Sequence, residues 1–334
     1  MTAMLAIQSA ATYLPERVEF AAIQARERNV GYLHLLLKSA RPARPRGKGR
    51  IKDHEVARHA PSAPTRLPVA PAKQSLSDLA LAAASALRDQ LAADEVARTT
   101  HIVLAHATLN EAVAEAIPGR IQVELGLKRV LPLAVSQIGS LGFYAALPLL
   151  AGLLDAKSQV LFIAADKWLY PFFRVFGDLV AFGDGAVAMM IRRGDGPALA
   201  TLRGFALETG TAIDDPWART PAELRAQLVP LAVAAGRRAI EHARATSGIG
   251  RDAIAGVVPA GFATADADAV ADALELPRAP RPHAGHLSSA DSPAALVHAQ
   301  QALRPGERKT VLVWDAALCG AAGAAVVELS GAGA

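Results

Sequence analysis

The chain is poor in the features that most readily betray a function. Its 334 residues include one cysteine, Cys319, so no internal disulfide framework is possible and a reducing compartment fits. Aromatics are scarce at 5%, and alanine supplies much of the 52% hydrophobic content, which favours close helix packing. The net charge of +4 is too small to demand nucleic acid. The first ten residues, MTAMLAIQSA, lack a basic n-region, so no signal peptide is expected and the cytoplasm is the default. There is no P-loop, no dinucleotide fingerprint and no metal-ligand spacing, so neither a bound cofactor nor a metal is expected.

The chain does hold one long uncharged run, Val130 to Leu154. A membrane span needs about 20 apolar residues, and this run is long enough. Pro132, Pro148, the Ser136–Gln137 pair and the turn Gly139-Ser140-Leu141-Gly142 nevertheless divide it. The pattern predicts a buried strand over Leu131 to Val135, a tight turn, and a helix buried on all sides. The turn sets Ser140 at a helix N-terminus, where unpaired N–H groups and the helix dipole favour negative charge.

Apolar strands alternate with helical segments elsewhere. Strand-like stretches are Met4 to Ala10, Thr100 to His106, Ser158 to Ala165, Ala186 to Ile191, Ala198 to Thr209, Ala255 to Pro259, Thr310 to Trp314 and Gly323 to Leu329. Helical stretches are Glu19 to Leu37, Gln74 to Leu91, Glu111 to Leu125, Ala222 to Ser247, Ala263 to Leu274 and Ser288 to Leu303. Alternation of this kind predicts an α/β protein with parallel-type sheets covered by helices, built from two similar halves, 1–195 and 196–334. Asp166 to Val180 is irregular and aromatic, which suits core, a subunit interface or a substrate wall.

Four motifs then occur in order: Tyr13-Leu14-Pro15-Glu16, Ser140-Leu141-Gly142-Phe143-Tyr144, Phe182-Gly183-Asp184-Gly185-Ala186 and Gly323-Ala324-Ala325-Val326-Val327. Together they resemble the ketoacyl synthase III branch of the thiolase superfamily over nearly the whole chain. The resemblance implies the thiolase-like five-layer αβαβα fold, a dimer with itself or with a thiolase-fold partner, and substrates carried as thioesters on coenzyme A or a phosphopantetheinyl acyl carrier protein.

The resemblance also locates a site, in which the family's cysteine, histidine and asparagine are all replaced. Ser140 stands at the cysteine, Ala260 of Pro259-Ala260-Gly261-Phe262 at the histidine, and His286 of Gly285-His286-Leu287-Ser288 at the asparagine. A serine hydroxyl needs an adjacent base where a thiolate does not, and helix-dipole help of up to ~2 kcal/mol does not close that gap. His286 can supply the base in a Ser–His dyad suited to acyl transfer to or from oxygen; the alternative is a polar loop residue hydrogen-bonded to backbone. The family's closing glycine-rich loop corresponds to Asp315-Ala316-Ala317-Leu318-Cys319-Gly320, so Ala317 and Cys319 fall where that loop has glycines and donates to an oxyanion. A lone cysteine is otherwise an inert core residue.

Lys38 to Lys52, KSARPARPRGKGRIK, is basic, rich in proline and glycine, and free of acids. It is either a solvated loop or a dock for an anionic carrier or coenzyme A through Arg44, Arg46, Lys48 and Arg50. Two functions compete. One is a synthase III-like acyltransferase working through Ser140, in fatty-acid-like or secondary-metabolite biosynthesis; the other is a catalytically inactive subunit that pairs with an active condensing enzyme. A conventional fatty-acid-initiating synthase comes third, since the cysteine is missing.

Overall fold

The computed structural model describes residues 4–19, 66–71, 73–108, 116–168, 174–194, 196–216, 219–280 and 285–331. The basic stretch with Arg44, Arg46, Lys48 and Arg50, the predicted helix at Glu19 to Leu37 beyond Glu19 itself, which ends a short strand, and aromatic positions 169–173 lie outside the described residues.

In the first half, β1 (Leu5–Tyr13), β4 (Thr99–His106), β5 (Leu131–Ser136), β6 (Gln159–Asp166) and β9 (Gly185–Arg193) form sheet strands. With them come α1 (Leu76–Arg88), the short α2 (Ala93–Ala97), α3 (Ile117–Glu124) and α4 (Gly142–Leu153). The second half supplies β10 (Ala200–Thr209), α5 (Pro221–Ser247), β11 (Val257–Val258), α6 (Thr264–Ala273), α7 (Asp291–Gln301), β12 (Arg308–Ala317) and β13 (Ala321–Ser330). Two small ribbons, β2 (Arg17–Glu19) with β3 (Arg66–Pro68) and β7 (Val175–Phe176) with β8 (Val180–Ala181), lie apart from the main sheet.

The nine main strands run in the order β11-β12-β13-β10-β1-β9-β6-β4-β5. The sheet is mixed, not mainly parallel as the alternation suggested. Only β4–β5, β4–β6 and β11–β12 are parallel, because β9 and β13 return as antiparallel neighbours of β6 and β12. The halves meet at a narrow seam between β1 and β10, in the register Leu5↔Leu202, Ala6↔Thr201, Ile7↔Ala200.

Side chains alternate across these strands and so define the layers. On β6, Val160, Phe162 and Ala164 join an inner core, while Leu161, Ile163 and Ala165 face an outer one with α1 and α3. On β12, Val311, Val313 and Ala317 face the same inner core, while Leu312, Trp314 and Ala316 pack outward with α5 and α6. The inner core holds α4 and α7 between the two half-sheets. Helix, sheet, helix, sheet, helix is the thiolase-like five-layer arrangement that the motifs implied.

Local chemistry explains the helix ends. Ser75 and Asp78 cap α1 reciprocally, with Asp78 N–H donating to Ser75 Oγ at 3.2 Å and Ser75 N–H to Asp78 Oδ2 at 2.8 Å. Helix α5 starts on a Thr220–Glu223 capping box with Pro221 in its first turn, and stops at Gly248, whose φ is +73°. It can lie close on β10 because Gly204 has no side chain; a Cβ there would sit 2.4 Å from the Ala243 backbone nitrogen.

The central uncharged run is partly misread by its composition. Strand β5 is the edge of the sheet, so it is half-exposed along its length and not buried, with Leu131 54% exposed. Helix α4 buries Phe143, Tyr144, Leu147 and Leu150, but Leu149 on its other side is 37% exposed. No helix of the described residues is long and apolar enough to cross a membrane.

Candidate active site

Ser140 sits in a 3₁₀ turn, Gly139–Leu141, that leads directly into α4. Backbone geometry forces the entry: Gln137 has φ +68° and Gly139 φ +59°. A Cβ on Gly139 would lie 2.8 Å from that of Ala317, so glycine is needed there for space as well as for φ. The Ser140 side chain is buried, and its Oγ donates to the Ala316 carbonyl at 3.1 Å.

A second turn faces the first. Residues Ser288–Ala290 form a 3₁₀ turn leading into α7, and Ser288 has φ +53°. His286 stands just before it with no exposed surface. Its backbone is fixed by N–H donation to Ala181 O at 2.6 Å and by acceptance from Gly183 N–H at 2.9 Å. The Phe182-Gly183-Asp184-Gly185 motif therefore seats the histidine rather than binding phosphate. Asp184 holds that motif by accepting from Ala70 N–H at 2.8 Å, Trp168 N–H at 2.9 Å and both Arg174 Nη atoms, at 2.7 and 2.9 Å. Phe182 and Phe262 stand edge-on to the imidazole, with centroids 5.4 and 5.3 Å away.

The hydrogen bonds of His286 assign its proton. Ser288 N–H donates to Nδ1 at 2.8 Å, so Nδ1 carries the lone pair and Nε2 the hydrogen, which it donates to Asp315 Oδ1 at 2.9 Å. Asp315 Oδ1 also accepts from Ala316 N–H at 2.7 Å, whereas Oδ2 is buried with no partner. Asp291 is fully satisfied: Leu287 N–H donates to Oδ1 at 2.8 Å and Gly261 N–H to Oδ2 at 2.9 Å. Its Oδ1 lies 3.9 Å from His286 Nδ1. Burial pushes the Asp315 carboxyl above its ordinary pKa, against the opposing pull of His286. Tyr144 lies in the same field; burial raises its phenol well above the ordinary value, and its hydroxyl donates to Ser292 Oγ at 2.8 Å.

The candidate positions thus converge, but not as a preformed dyad. Ser140 bonds Ala316, Ala316 adjoins Asp315, and Asp315 holds His286. The direct Ser140–His286 hydrogen bond of a dyad is not made, because the hydroxyl is turned to a backbone carbonyl and both imidazole nitrogens are engaged elsewhere. The alternative, a polar residue hydrogen-bonded to backbone, is met at one nitrogen only: Nδ1 accepts from Ser288 N–H, while Nε2 is bound to a carboxylate. Ala260 is buried where the resemblance placed a histidine, and the adjoining Gly261 N–H is tied to Asp291. Ala317 is buried against Gly139. Cys319 is exposed in the β12–β13 turn, and desolvation raises its thiol pKa, so it is not an activated thiolate.

His286, Asp291 and Asp315 each offer a ligand atom, all within 4.8 Å of one another. The set reads as an acid–base cluster rather than a metal cradle. Both Asp291 oxygens face backbone N–H groups, and a cation would have to displace either the Nε2 proton or the Ser288 N–H bonded to Nδ1. Sequence reasoning missed Asp315 and Asp291. The available signals were a single carboxylate inside the apolar run Val311 to Leu318, and an acid five positions after His286 at the head of a helix.

No family profile and no curated protein matches the chain. Solved structures do match over nearly its whole length. A protein titled ChlB3, an acyltransferase, is 18% identical with a TM-score of 0.69, covering 98% of both chains. The 3-oxoacyl-(acyl carrier protein) synthase III, FabH, of Pseudomonas aeruginosa PAO1 is 22% identical with a TM-score of 0.66, again covering 98% of both. The corresponding enzyme of Thermus thermophilus is 21% identical with a TM-score of 0.67, covering 98% of this chain and 100% of that one. At these identities the likeness is one of fold, and the fold of this chain is that of the synthase III-like, thiolase-type enzymes.

Proposed function

We propose that the chain is a synthase III-like acyltransferase that takes acyl groups from thioesters of coenzyme A or an acyl carrier protein onto Ser140, with His286 as base. The observation that carries the reading is the buried His286–Asp315 pair, one residue along β12 from the carbonyl that holds the Ser140 hydroxyl. Serine, imidazole and carboxylate come from three separate segments, two facing turns that lead into α4 and α7 and the adjoining strand β12, the kinds of group on which serine acyl transfer depends. Neighbours of the same fold titled as an acyltransferase and as a 3-oxoacyl-(acyl carrier protein) synthase III support thioester substrates.

In the acylation step Ser140 Oγ attacks the thioester carbonyl and its proton passes to His286 Nδ1. The C–S bond breaks, and the imidazolium protonates the leaving sulfur. Two hydrogen bonds are exchanged first: Ser140 leaves the Ala316 carbonyl and Nδ1 leaves the Ser288 N–H. Each exchange costs about 1 kcal/mol, small beside a catalytic barrier. Carrier docking at Arg44, Arg46, Lys48 and Arg50, assembly as a dimer, and a cytoplasmic place in fatty-acid-like or secondary-metabolite biosynthesis belong to the same proposal.

Those two engaged hydrogen bonds also favour a second reading, an inactive thiolase-fold subunit supporting an active partner. Intact mass after incubation with a panel of acyl-coenzyme A and acyl carrier thioesters separates the two. The proposal expects one acyl adduct, mapping to Ser140 and abolished by Ser140→Ala. A wild type unmodified by every donor, in a complex whose partner keeps its activity with Ser140→Ala, would establish the supporting role. An adduct on Cys319 would overturn both.

A further inference from the structure

Asp315 has a feature that the proposed acylation leaves unexplained. Its Oδ1 is engaged twice, by His286 Nε2 and by its neighbour's N–H, while Oδ2 is buried without a partner. An unsatisfied buried carboxylate oxygen is costly in a finished core, and Oδ2 is left as an open acceptor for a hydrogen-bond donor. The strand alternation of β12 turns this side chain into the inner layer, the layer that contains the turn bearing Ser140. The same chain shows how a buried carboxylate there is otherwise satisfied. Asp166, on the facing half-sheet, has both oxygens occupied, Oδ1 by Ala107 N–H, Thr108 N–H and Thr108 Oγ1 at 2.7–2.8 Å and Oδ2 by Ser289 N–H at 2.8 Å.

We propose that Asp315 is a catalytic carboxylate of the second half-reaction, its Oδ2 taking the proton of a hydroxyl acceptor that attacks the acyl-Ser140 ester. This rests on the acyltransferase reading and adds the acceptor class and its base. In the transfer the acceptor oxygen bonds to the acyl carbon and its proton passes to Asp315 Oδ2. The bond from the acyl carbon to Ser140 Oγ then breaks. Asp315 Oδ2 then gives that same proton to the departing Ser140 oxygen while His286, already protonated at Nε2, holds the carboxylate in place, so carboxylate, imidazole and hydroxyl all end as they began. Burial that lifts the carboxyl above its ordinary range makes it a better base than a solvated aspartate.

The test separates the half-reactions. Wild type and Asp315→Asn are acylated with octanoyl-coenzyme A and freed of donor. Loss of the adduct is then followed by intact mass in water, with methanol, and with hydroxylamine. Asn keeps the shape and an acceptor for His286 but takes no proton. The adduct should form on both proteins. Its transfer to water and methanol should slow by about 10²-fold or more in the variant, while hydroxylamine, which needs little base help, removes it equally from both. In Asp315→Ala, added formate should restore transfer to methanol, a rescue that lost packing would not give. Equal water and methanol rates would overturn the proposal alone. So would a matching loss with hydroxylamine without formate rescue, which would leave Asp315 only a positioning residue for His286. A wild type that never acylates would take down the acyltransferase reading and this one together.

Discussion

Asp166 and Asp315 stand at corresponding places in the two halves. Each lies near the C-terminal end of the strand that follows an inner-layer helix, β6 after α4 and β12 after α7, and neither has exposed surface. Asp166 is saturated with donors and ties the chain at Ala107 and Thr108 to the turn at Ser289. Asp315 is tied to one histidine and its neighbour's amide, and one oxygen is left open. The first half uses its carboxylate to fix a turn. The second keeps its carboxylate available beside an imidazole. The departure is legible because both carboxylates are fully buried near a strand end and differ in their partners.

The contrast is broken most severely by Asp166→Ala. It leaves the Ala107, Thr108 and Ser289 N–H groups without their acceptor, at about 1–3 kcal/mol for each that stays buried. Chemical denaturation should show a loss of about 3 kcal/mol or more, and a loss below about 1 kcal/mol would deny Asp166 its fixing role. Gly139→Ala comes next. Positive φ and the contact with Ala317 together predict about 1–3 kcal/mol, and the damage should fall on Ser140 acylation as well as on the denaturation midpoint.

Asp315→Asn should have the smallest effect on stability, and its sign should depend on pH. The folded carboxyl titrates above its ordinary value. Its contribution is therefore complete below the unfolded pKa of about 4 and is lost as pH rises through the raised folded value. The variant lacks that titration, so its stability relative to wild type should climb with pH across this window. A difference independent of pH between about 4 and 8 would mean that the carboxyl is not held up by burial.

Much of this was readable in advance, for physical reasons. Long apolar strands such as β4, β6 and β9 and the Ser75–Asp78 cap are local features, so periodicity and spacing found them. The turn bearing Ser140 was found because glycines at Gly139 and Gly142 break an uncharged run. Strand β5 was misplaced because composition records apolarity without saying whether a neighbour covers the edge. The ribbons β2–β3 and β7–β8 are too short to carry a period. Asp315 and Asp291 escaped because their meaning lies in partners far along the chain: a lone acid in an apolar strand looks like the strand's end until the histidine 29 residues earlier is seen against it. Trp168 belonged to a run read as core, interface or wall, and it stacks on Phe182 at 4.3 Å, one ring removed from His286.

The narrow seam between β1 and β10 bears on how the protein is made. Only three residue pairs join the half-sheets there, yet the layer between them draws on Val103, Phe162 and Val187 from one half and on Val311, Val313 and Val327 from the other. Neither half covers that surface alone. A chain emerging from the ribosome would complete its first sheet with an apolar face still open, and the strands that close it come later in the sequence. During synthesis that interval, rather than the finished molecule, is the state most exposed to aggregation and most dependent on chaperones.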